Sequence, residues 1–556
     1  MNFCSINKNC VEMNTEEAFP TGLDKMKTHE LYPLFFPKSV AIVGVSENMH
    51  YGASSFLQAL NTLNYSKFGN LYPVNPRHAG KKLHGYTCYP SLESLPETPD
   101  YILSGLPAAK TPALLKEAII KGARFVVVFT SGFNEVSNDE GKALHKEIIS
   151  ILDSDENKDE TGRKKTRVIG PNCLGVYNPS AGMAYFNDQH SNVNGRVSIL
   201  SQSGGQAINI SSFFSERNFP VRMAISVGNM LDLDIAEIFD FYYHDPHTQA
   251  IVCYVEGIPE NSGRRLFDLI KKITKKKAVL IWKTGRTKAS LKAISSHTGS
   301  LAGDSKIFSS AMRQAGAILP RSLEALFDAA SAIMLSPLPR DRSMHNNNMK
   351  NRSHMLADVV KNNVPDKKDP DKKNVDLKAG IIVCGGGFSV DIIDTFSLLG
   401  IKKADFSSDT LKKMGEVLPD DINTFIVNPV DMGDKGYDHH VFGKILELCA
   451  ADENVDFIVT ACEPERYARF GQWLNQPNLE LKHADIIKKI REKFQKPIFV
   501  IGLAVSRDPE VYSRRIKFSN LMRQLNVPSF PTVERAAYAA LSFTIHAKNV
   551  ANHSMV

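Results

Sequence analysis

The chain is 556 residues long, 43% hydrophobic and 23% charged, with a formal net charge of +7. That length is more than one hydrophobic core organises, and it predicts about three or four domains. The charge excess sits in short lysine clusters such as Lys271-Lys272 and Lys275-Lys276-Lys277. It lacks the aromatic-interleaved basic face of a nucleic-acid binder, so no nucleic-acid partner is expected, although small polyanions suit it. Eight scattered cysteines form no CxxC pair and no metal-ligand spacing; this predicts reduced thiols, no metal site and a cytoplasmic location. No apolar run reaches the ~20 residues that span a bilayer, so no membrane partner is expected.

Residues 1–34 carry acidic side chains without a hydrophobic signal core and read as a soluble N-terminal arm. A first domain, 35–190, follows. Val40-Ala41-Ile42-Val43-Gly44 reads as a buried strand and Phe56 to Leu63 as a helix. Further strands are expected at Gly69 to Val74, Tyr101-Ile102-Leu103 and Phe125 to Phe129, with the unit closing near Arg167-Val168-Ile169-Gly170-Pro171-Asn172. Short apolar runs alternating with helices predict an α/β fold with a parallel sheet covered on both faces.

A second α/β domain, 191–336, begins at Gly195-Arg196-Val197-Ser198-Ile199-Leu200. Residues 337–376, rich in Asn, Lys, Asp and Arg, have too little apolar surface to order themselves and read as a polar linker. A third domain, 377–548, opens at Ala379 to Gly387. The second and third domains end alike, in Ile318-Leu319-Pro320-Arg321-Ser322-Leu323-Glu324 and Ser529-Phe530-Pro531-Thr532-Val533-Glu534. Each is a short strand, a proline turn with a hydroxyl N-cap, then a helix with an early glutamate, so a duplicated flavodoxin-like unit is the simplest account.

Small-residue turns at the expected strand ends carry the candidate chemistry. Gly44-Val45-Ser46 closes the first strand, where doubly wound folds bind nucleotides, but the next glycine is Gly52 and no GxGxxG fingerprint results. Asn75-Pro76-Arg77, Pro107, Ser131-Gly132 and Asn172-Cys173 follow at successive strand ends and outline a crevice for a nucleotide with a long arm. Arg77 reads equally as a phosphate partner and as a solvated surface arginine. Cys173 reads as a small packing residue rather than a nucleophile. Ser203-Gly204-Gly205 opens a helix, where N–H groups and the local dipole make a phosphate cradle; an ordinary glycine-bearing turn is the other reading. Glu256 ends a strand and suits either a hydrogen bond to an imidazole or an ordinary loop position.

Ser295-Ser296-His297-Thr298-Gly299-Ser300-Leu301-Ala302-Gly303 follows the strand-like Ala278 to Trp282 and precedes a helix-like run. A phosphorylatable imidazole needs small neighbours, so that two large substrates reach it in turn, and it needs hydroxyl and N–H groups near the phosphoryl oxygens. A flexible loop with an incidental histidine is the alternative.

Taken in order, Gly44-Val45-Ser46, Gly170 to Gly175, Ser201 to Gly205, Ser226-Val227-Gly228-Asn229 and the His297 loop resemble the NDP-forming acyl-CoA synthetases, the superfamily of succinyl-CoA synthetase. Within that family the resemblance is greatest to the α subunits of ADP-forming acetate–CoA ligases. Gly385 to Val390 and Asn428-Pro429-Val430-Asp431 look like the family's second flavodoxin-like domain. The resemblance implies a Rossmann-like CoA-binding domain followed by two flavodoxin-like, succinyl-CoA synthetase-like domains. It implies His297 as the phosphoryl carrier, Glu256 as its orienting carboxylate and Ser203, Gly204 and Gly205 as the phosphate cradle. CoA would lie on Gly44, Ser46, Asn75, Pro76, Arg77, Pro107, Ser131, Gly132, Asn172 and Cys173. The substrates implied are a carboxylic acid, CoA and phosphate, and Ser226 to Asn229 is a candidate contact for the acid.

The chain has no glycine-rich ATP-grasp segment. A separate ATP-grasp β subunit, in an α2β2 assembly, would therefore supply ADP or ATP and Mg2+. A CoA-binding regulatory protein of the same fold is the competing reading, and retention of both His297 and Glu256 argues against it. A nicotinamide-dependent dehydrogenase is disfavoured because no acidic residue closes a G-x-G-x-x-G turn.

Overall fold

Buried apolar runs of four to six residues become strands, because both their faces are covered and every other side chain must be apolar too. The computed structural model describes residues 20–48, 52–136, 138–186, 189, 192–291, 304–338, 377–418, 424–475, 478–503 and 508–551. His297 and nearly all of the 337–376 linker lie outside the described residues. The chain divides into two units, one of Met1–Ser198 with Arg222–Gln249, the other of Ile199–Val221 with Ala250–Val556.

In the first unit, α1 (Pro20–Lys27) and α2 (Tyr32–Phe35) lead into β1 (Ser39–Val43), α3 (Ala53–Thr62), β2 (Asn70–Val74) and a small hairpin, β3 (Lys82–Leu83) with β4 (Tyr86–Thr87). There follow β5 (Tyr101–Ser104), α4 (Thr111–Lys121), β6 (Phe125–Val128), α5 (Asp139–Leu152) and β7 (Arg167–Ile169). The sheet runs β2-β1-β5-β6-β7, all parallel. Helices α4 and α5 cover the face that carries Ala41, Val43, Ile102, Val126 and Val128. Chain order reverses beside β1, so the crevice opens between the carboxyl ends of β1 and β5.

The same unit holds β8 (Gly175–Tyr177), antiparallel to β10 (Val221–Ser226), and α7 (Ile235–His244). Asp234 and Glu237 close a capping box at the start of α7. Arg167 at the start of β7 reaches Asp232 at 2.9 Å and Glu237 at 3.0 Å, and Lys164 reaches Asp232 at 3.2 Å.

The end of the N-terminal arm packs against α7. Leu31, Leu34 and Phe35 are fully buried, Phe35 stacks on Phe241 at 4.6 Å, and His29 Nε2 lies 3.5 Å from Asp240. The apolar run Leu31 to Phe36 has enough surface to dock on α7, which outweighs the entropy of ordering it.

In the second unit, β9 (Val197–Ser201), through which the division of the chain passes, leads into α6 (Gly204–Ser215). The unit continues with β11 (Ala250–Val255), α8 (Gly263–Ile273), β12 (Ala278–Lys283), α9 (Ser305–Gln314) and α10 (Leu323–Leu335). Strand β11 lies between β9 and β12 and is parallel to β12. After the linker come β13 (Lys378–Val383), α11 (Gly386–Leu398), β14 (Lys402–Lys403), β15 (Phe425–Ile426), β16 (Val430–Asp431), β17 (Phe457–Ala461), β18 (Ile498–Ile501) and β19 (Ser529–Phe530). They form the order β15-β16-β13-β17-β18-β19, with β14 beside β13.

Candidate active site

Five turns at one sheet edge carry the first group of candidate residues. Gly44 follows β1 with φ +94°, a conformation that favours glycine, and a Cβ there would lie 3.3 Å from Leu106. The Ser46 N–H donates to Ser54 Oγ at 2.9 Å, and that hydroxyl donates back to the Ser46 carbonyl at 3.0 Å. Asn75 joins two turns: its Nδ2 donates to the Val45 carbonyl at 2.7 Å, and its Oδ1 accepts from the Arg77 N–H at 3.0 Å. Pro76, Arg77, Pro107 and Ser131 are exposed at this rim.

Asn172 has φ +59° and its N–H donates to the Thr130 carbonyl at 3.1 Å, holding the β7 turn against the β6 turn. Cys173 is 2% exposed and its Sγ lies 3.5 Å from the Val128 and Ile169 carbonyls. Burial pushes its thiol up to about 12. Its side chain is packing at this edge, and a ligand would meet its backbone alone. These turns fit an extended nucleotide ligand such as CoA: Gly44 and Gly132 leave the backbone bare, Asn75 ties two turns together, and Arg77 offers a guanidinium to a phosphate.

Two residues that the sequence reading passed over shape this edge. Gly105 follows β5, and a Cβ on it would sit 2.8 Å from the Ala53 Cβ and 2.9 Å from its nitrogen, so only glycine lets the turn approach the start of α3. Glu135 is 9% exposed. Its Oε1 accepts from the Gly132 N–H at 2.6 Å and the Phe133 N–H at 3.1 Å, and its Oε2 accepts from Asn229 Nδ2 at 2.6 Å. The Asn229 N–H also donates to the Pro171 carbonyl at 3.0 Å. One carboxylate therefore fixes both the Ser131-Gly132 turn and the Ser226 to Asn229 turn. A glutamate three residues past a glycine turn was the available signal.

The second unit carries the other group. Ser203 caps α6, its hydroxyl accepting from the Gln206 N–H at 3.4 Å. Gly204 and Gly205 fill the first helical positions, and their N–H groups are among those that have no partner within a helix. Gly205 is exposed, which leaves the helix N-terminus open to an anion. Glu256 follows β11. Its N–H donates to Gln202 Oε1, the Gly257 N–H donates to the same oxygen at 3.0 Å, and Tyr254 Oη lies 3.4 Å from Glu256 Oε1.

Gln202 directly precedes the cap of α6, so a single amide joins the Ser203–Gly205 helix start to the Glu256 turn. Lys283 at the end of β12 holds the turn from its other side, donating to the Glu256 carbonyl at 2.6 Å and also to the Thr284 carbonyl. Burial lowers the pKa of its ammonium to about 8, although Glu256 pulls it upward. Gln202 lies within the Ser201 to Gly205 motif without a role that the sequence assigns, and Lys283 is not singled out by sequence, because each acts on backbone groups that are near it only in space. Among the described residues, no group of three or more His, Cys, Asp or Glu side chains is placed to hold a metal ion, and no helix is long and apolar enough to cross a membrane.

Two family models match the chain, the CoA binding domain over residues 38–179 and the succinyl-CoA ligase like flavodoxin domain over residues 194–333. The α subunit of ADP-forming acetate–CoA ligase II from Pyrococcus furiosus is 28% identical over 523 residues, which is 93% of this chain and 98% of that subunit. ADP-forming acetate–CoA ligase I from Archaeoglobus fulgidus is 29% identical over 432 residues, 78% of this chain and 54% of the relative, so the match spans about half of that longer protein. Among solved structures, the dinucleotide-forming acetyl-coenzyme A synthetase 1 of Ca. Korarchaeum cryptofilum, in complex with phosphate and ADP, superposes with a TM-score of 0.74. It is 25% identical, and the alignment covers 95% of this chain and 99% of that one.

Proposed function

Because the chain belongs to the NDP-forming acyl-CoA synthetase family, we propose that it is the CoA-binding subunit that carries the phosphoryl group on a histidine. It interconverts acyl-CoA, ADP and phosphate with a carboxylic acid, ATP and CoA. The observation that carries this reading is the pairing of an open helix N-terminus at Ser203–Gly205 with the Glu256 turn, joined through Gln202.

In the proposed sequence, phosphate attacks the thioester and releases free CoA and an acyl phosphate. His297 then takes the phosphoryl group and frees the carboxylate, and ADP finally receives the group. When bound, CoA supplies the thiol that forms the thioester. Gly204 and Gly205 present N–H groups to the phosphoryl oxygens, which lowers the energy of the charge that develops on them. The Glu256 carboxylate accepts a hydrogen bond from one imidazole nitrogen of His297, fixing the tautomer and favouring the cationic phosphoimidazole. Gln202 and Lys283 hold the Glu256 backbone from two sides and so limit its drift. The turns from Gly44 to Cys173 hold CoA, with Arg77 on a phosphate.

The Pyrococcus relative is an α subunit and the Archaeoglobus relative is longer than this chain. An ATP-grasp β subunit that brings the nucleotide and Mg2+, in an α2β2 assembly in the cytoplasm, completes the reading.

The test combines the chain with an ATP-grasp partner and labelled ATP. Acid-labile, base-stable label on the wild-type chain, absent from His297→Ala, is the expected result. Label that survives His297→Ala refutes the proposal. Tight CoA binding with no label transfer in the wild type assigns the chain to a regulatory role instead.

A further inference from the structure

Beside β12 a cavity of about 290 Å³ opens, lined by Lys283, Arg286, Arg313 and Arg321 together with Ser309 and Pro320. Three separate pieces of chain converge on it: the end of β12 with the turn behind it, helix α9, and the turn before α10. No carboxylate among the described residues lines it. Among the described residues, the three arginines form no ion pair, and Arg286 Nη2 donates to the Arg321 carbonyl at 3.4 Å. The whole chain carries a net charge of only +7, so four cations around one hollow are a local concentration rather than a general bias.

The physical consequence is a site short of negative charge. Lys283 is 5% exposed and its ammonium is pinned to two backbone carbonyls, so the cation at the floor cannot swing away into solvent. Burial opposes the charge on Lys283 most, Glu256 offsets part of that, and Arg286 adds to the opposition; the Phe308 ring lies 5.8 Å from the Lys283 nitrogen. A bound oxyanion would relieve this repulsion, and guanidinium groups suit phosphate oxygens because their donors are forked and planar.

We propose that this hollow is an anion site separate from the α6 cradle, taking a small phosphorylated ligand of two or more negative charges. Arg313 and Arg321 hold it at the rim, Lys283 at the floor and Ser309 by its hydroxyl. The volume is near the lower end of the roughly 300–1,000 Å³ found for small-molecule sites and suits a compact phosphate ester rather than a whole CoA. Because Lys283 also donates to the Glu256 carbonyl, an anion that favours its charged form tightens the Glu256 turn. This goes beyond the proposed function, since the site needs neither His297 nor a bound nucleotide.

The probe is pyrophosphate, titrated calorimetrically into the full-length chain at constant ionic strength near 0.15 M. A His297→Ala background removes any phosphohistidine chemistry. Saturable binding with micromolar to submillimolar affinity is expected, weakened about tenfold by Arg313→Ala and about a hundredfold by Arg313→Ala with Arg321→Ala, while Arg→Lys at either position restores part of the loss. Both arginines are exposed, so unchanged urea midpoints without pyrophosphate are expected for these variants, and the stability gained when pyrophosphate is added should shrink in the order of their weakened affinities. Absence of saturable binding, or equal binding by the double variant, overturns the site without touching the phosphohistidine reading. Loss of label transfer from His297 with pyrophosphate binding intact would do the reverse.

Discussion

Replacing Glu135 should uncouple two turns that are otherwise held by a single carboxylate. In Glu135→Ala the Gly132 and Phe133 N–H groups and Asn229 Nδ2 all lose their acceptor. Each is a bond to a charged group, worth about 1.5–3 kcal/mol, and water reaching the new space recovers part of it, so a net loss of about 3–5 kcal/mol is expected. Glu135→Gln is the informative comparison. Its amide oxygen still accepts from both backbone N–H groups, while its NH2 faces Asn229 Nδ2, donor against donor. Asn229 Oδ1 is buried without a hydrogen-bond partner, so a flip of that amide restores a contact, and the loss falls to about 1–2 kcal/mol. Urea midpoints at a fixed m-value measure both changes, and calorimetric titration of CoA measures the consequence at the crevice. Alanine should weaken CoA more than glutamine does, because the Ser131-Gly132 turn depends on the same carboxylate. Equal stability for the alanine, glutamine and parent proteins, or unchanged CoA affinity in Glu135→Ala, refutes the positioning role.

In Gln202→Ala the Glu256 and Gly257 N–H groups lose their shared acceptor; kcat of the reconstituted enzyme should fall about 10–100-fold with the KM for CoA near its parent value, and an unchanged kcat rules the clamp out. Gly228→Ala places a Cβ 2.2 Å from the Pro171 carbonyl oxygen at φ +51°, which should cost about 3 kcal/mol or more and appear as a lower thermal midpoint; an unaltered midpoint means that the turn relaxes freely. Burial holds the Lys283 pKa near 8, below its ordinary 10.5, so between those values the folded chain binds fewer protons than the unfolded one. The contribution of this group to stability is therefore lowest below pH 8 and rises as the pH climbs toward 10.5. Lys283→Met should remove that rise from urea midpoints measured across the window, whereas an identical slope in the variant would remove Lys283 from the explanation.

Strand positions were legible because fully buried parallel strands are almost wholly apolar: Val40 to Val43 and Phe125 to Val128 are so throughout, and Val197 to Leu200 departs only at the buried Ser198, whose hydroxyl pairs with Thr248 at 2.7 Å. The turns at their carboxyl ends were legible for a related reason: Gly44 and Gly132 adopt backbone angles that other residues resist. Residues that hold those turns were not. Glu135, Gln202 and Lys283 act through bonds to backbone groups that are near them only in space, and no spacing along the chain encodes Gln202 beside Gly257, or Glu135 beside Asn229. The docking of Leu31 to Phe35 was missed because its partner, Phe241, lies about two hundred residues further on, a pairing that local pattern does not report. Cys173 was read both as packing and as a ligand contact, and its full burial leaves the side chain only the first role.

The similarity between the second and third domains extends beyond their endings. The β9-β11-β12 order, continued by the bridge of Leu280 to Ile318, is matched by β13-β17-β18-β19. Glycines open the first helix of each, Gly204-Gly205 in α6 and Gly386-Gly387 in α11, and a glutamate follows the next strand of each, Glu256 after β11 and Glu463 after β17. What separates them is the segment after the following strand. Behind β12 comes the stretch that contains His297, whereas Gly502 to Asp508 behind β18 contains no histidine. The copies have also diverged where their last helices meet: Arg535, which corresponds to Ala325 in the second domain, reaches across to the buried Asp328 of α10 at 2.6 Å and 2.8 Å. Each copy carries only one half of this ion pair, since Ala325 stands where the third domain has Arg535 and Tyr538 stands where the second has Asp328, so the pair joins one copy to the other and cannot form between two of the same copy. It therefore favours pairing between unlike domains within the chain over association of like with like.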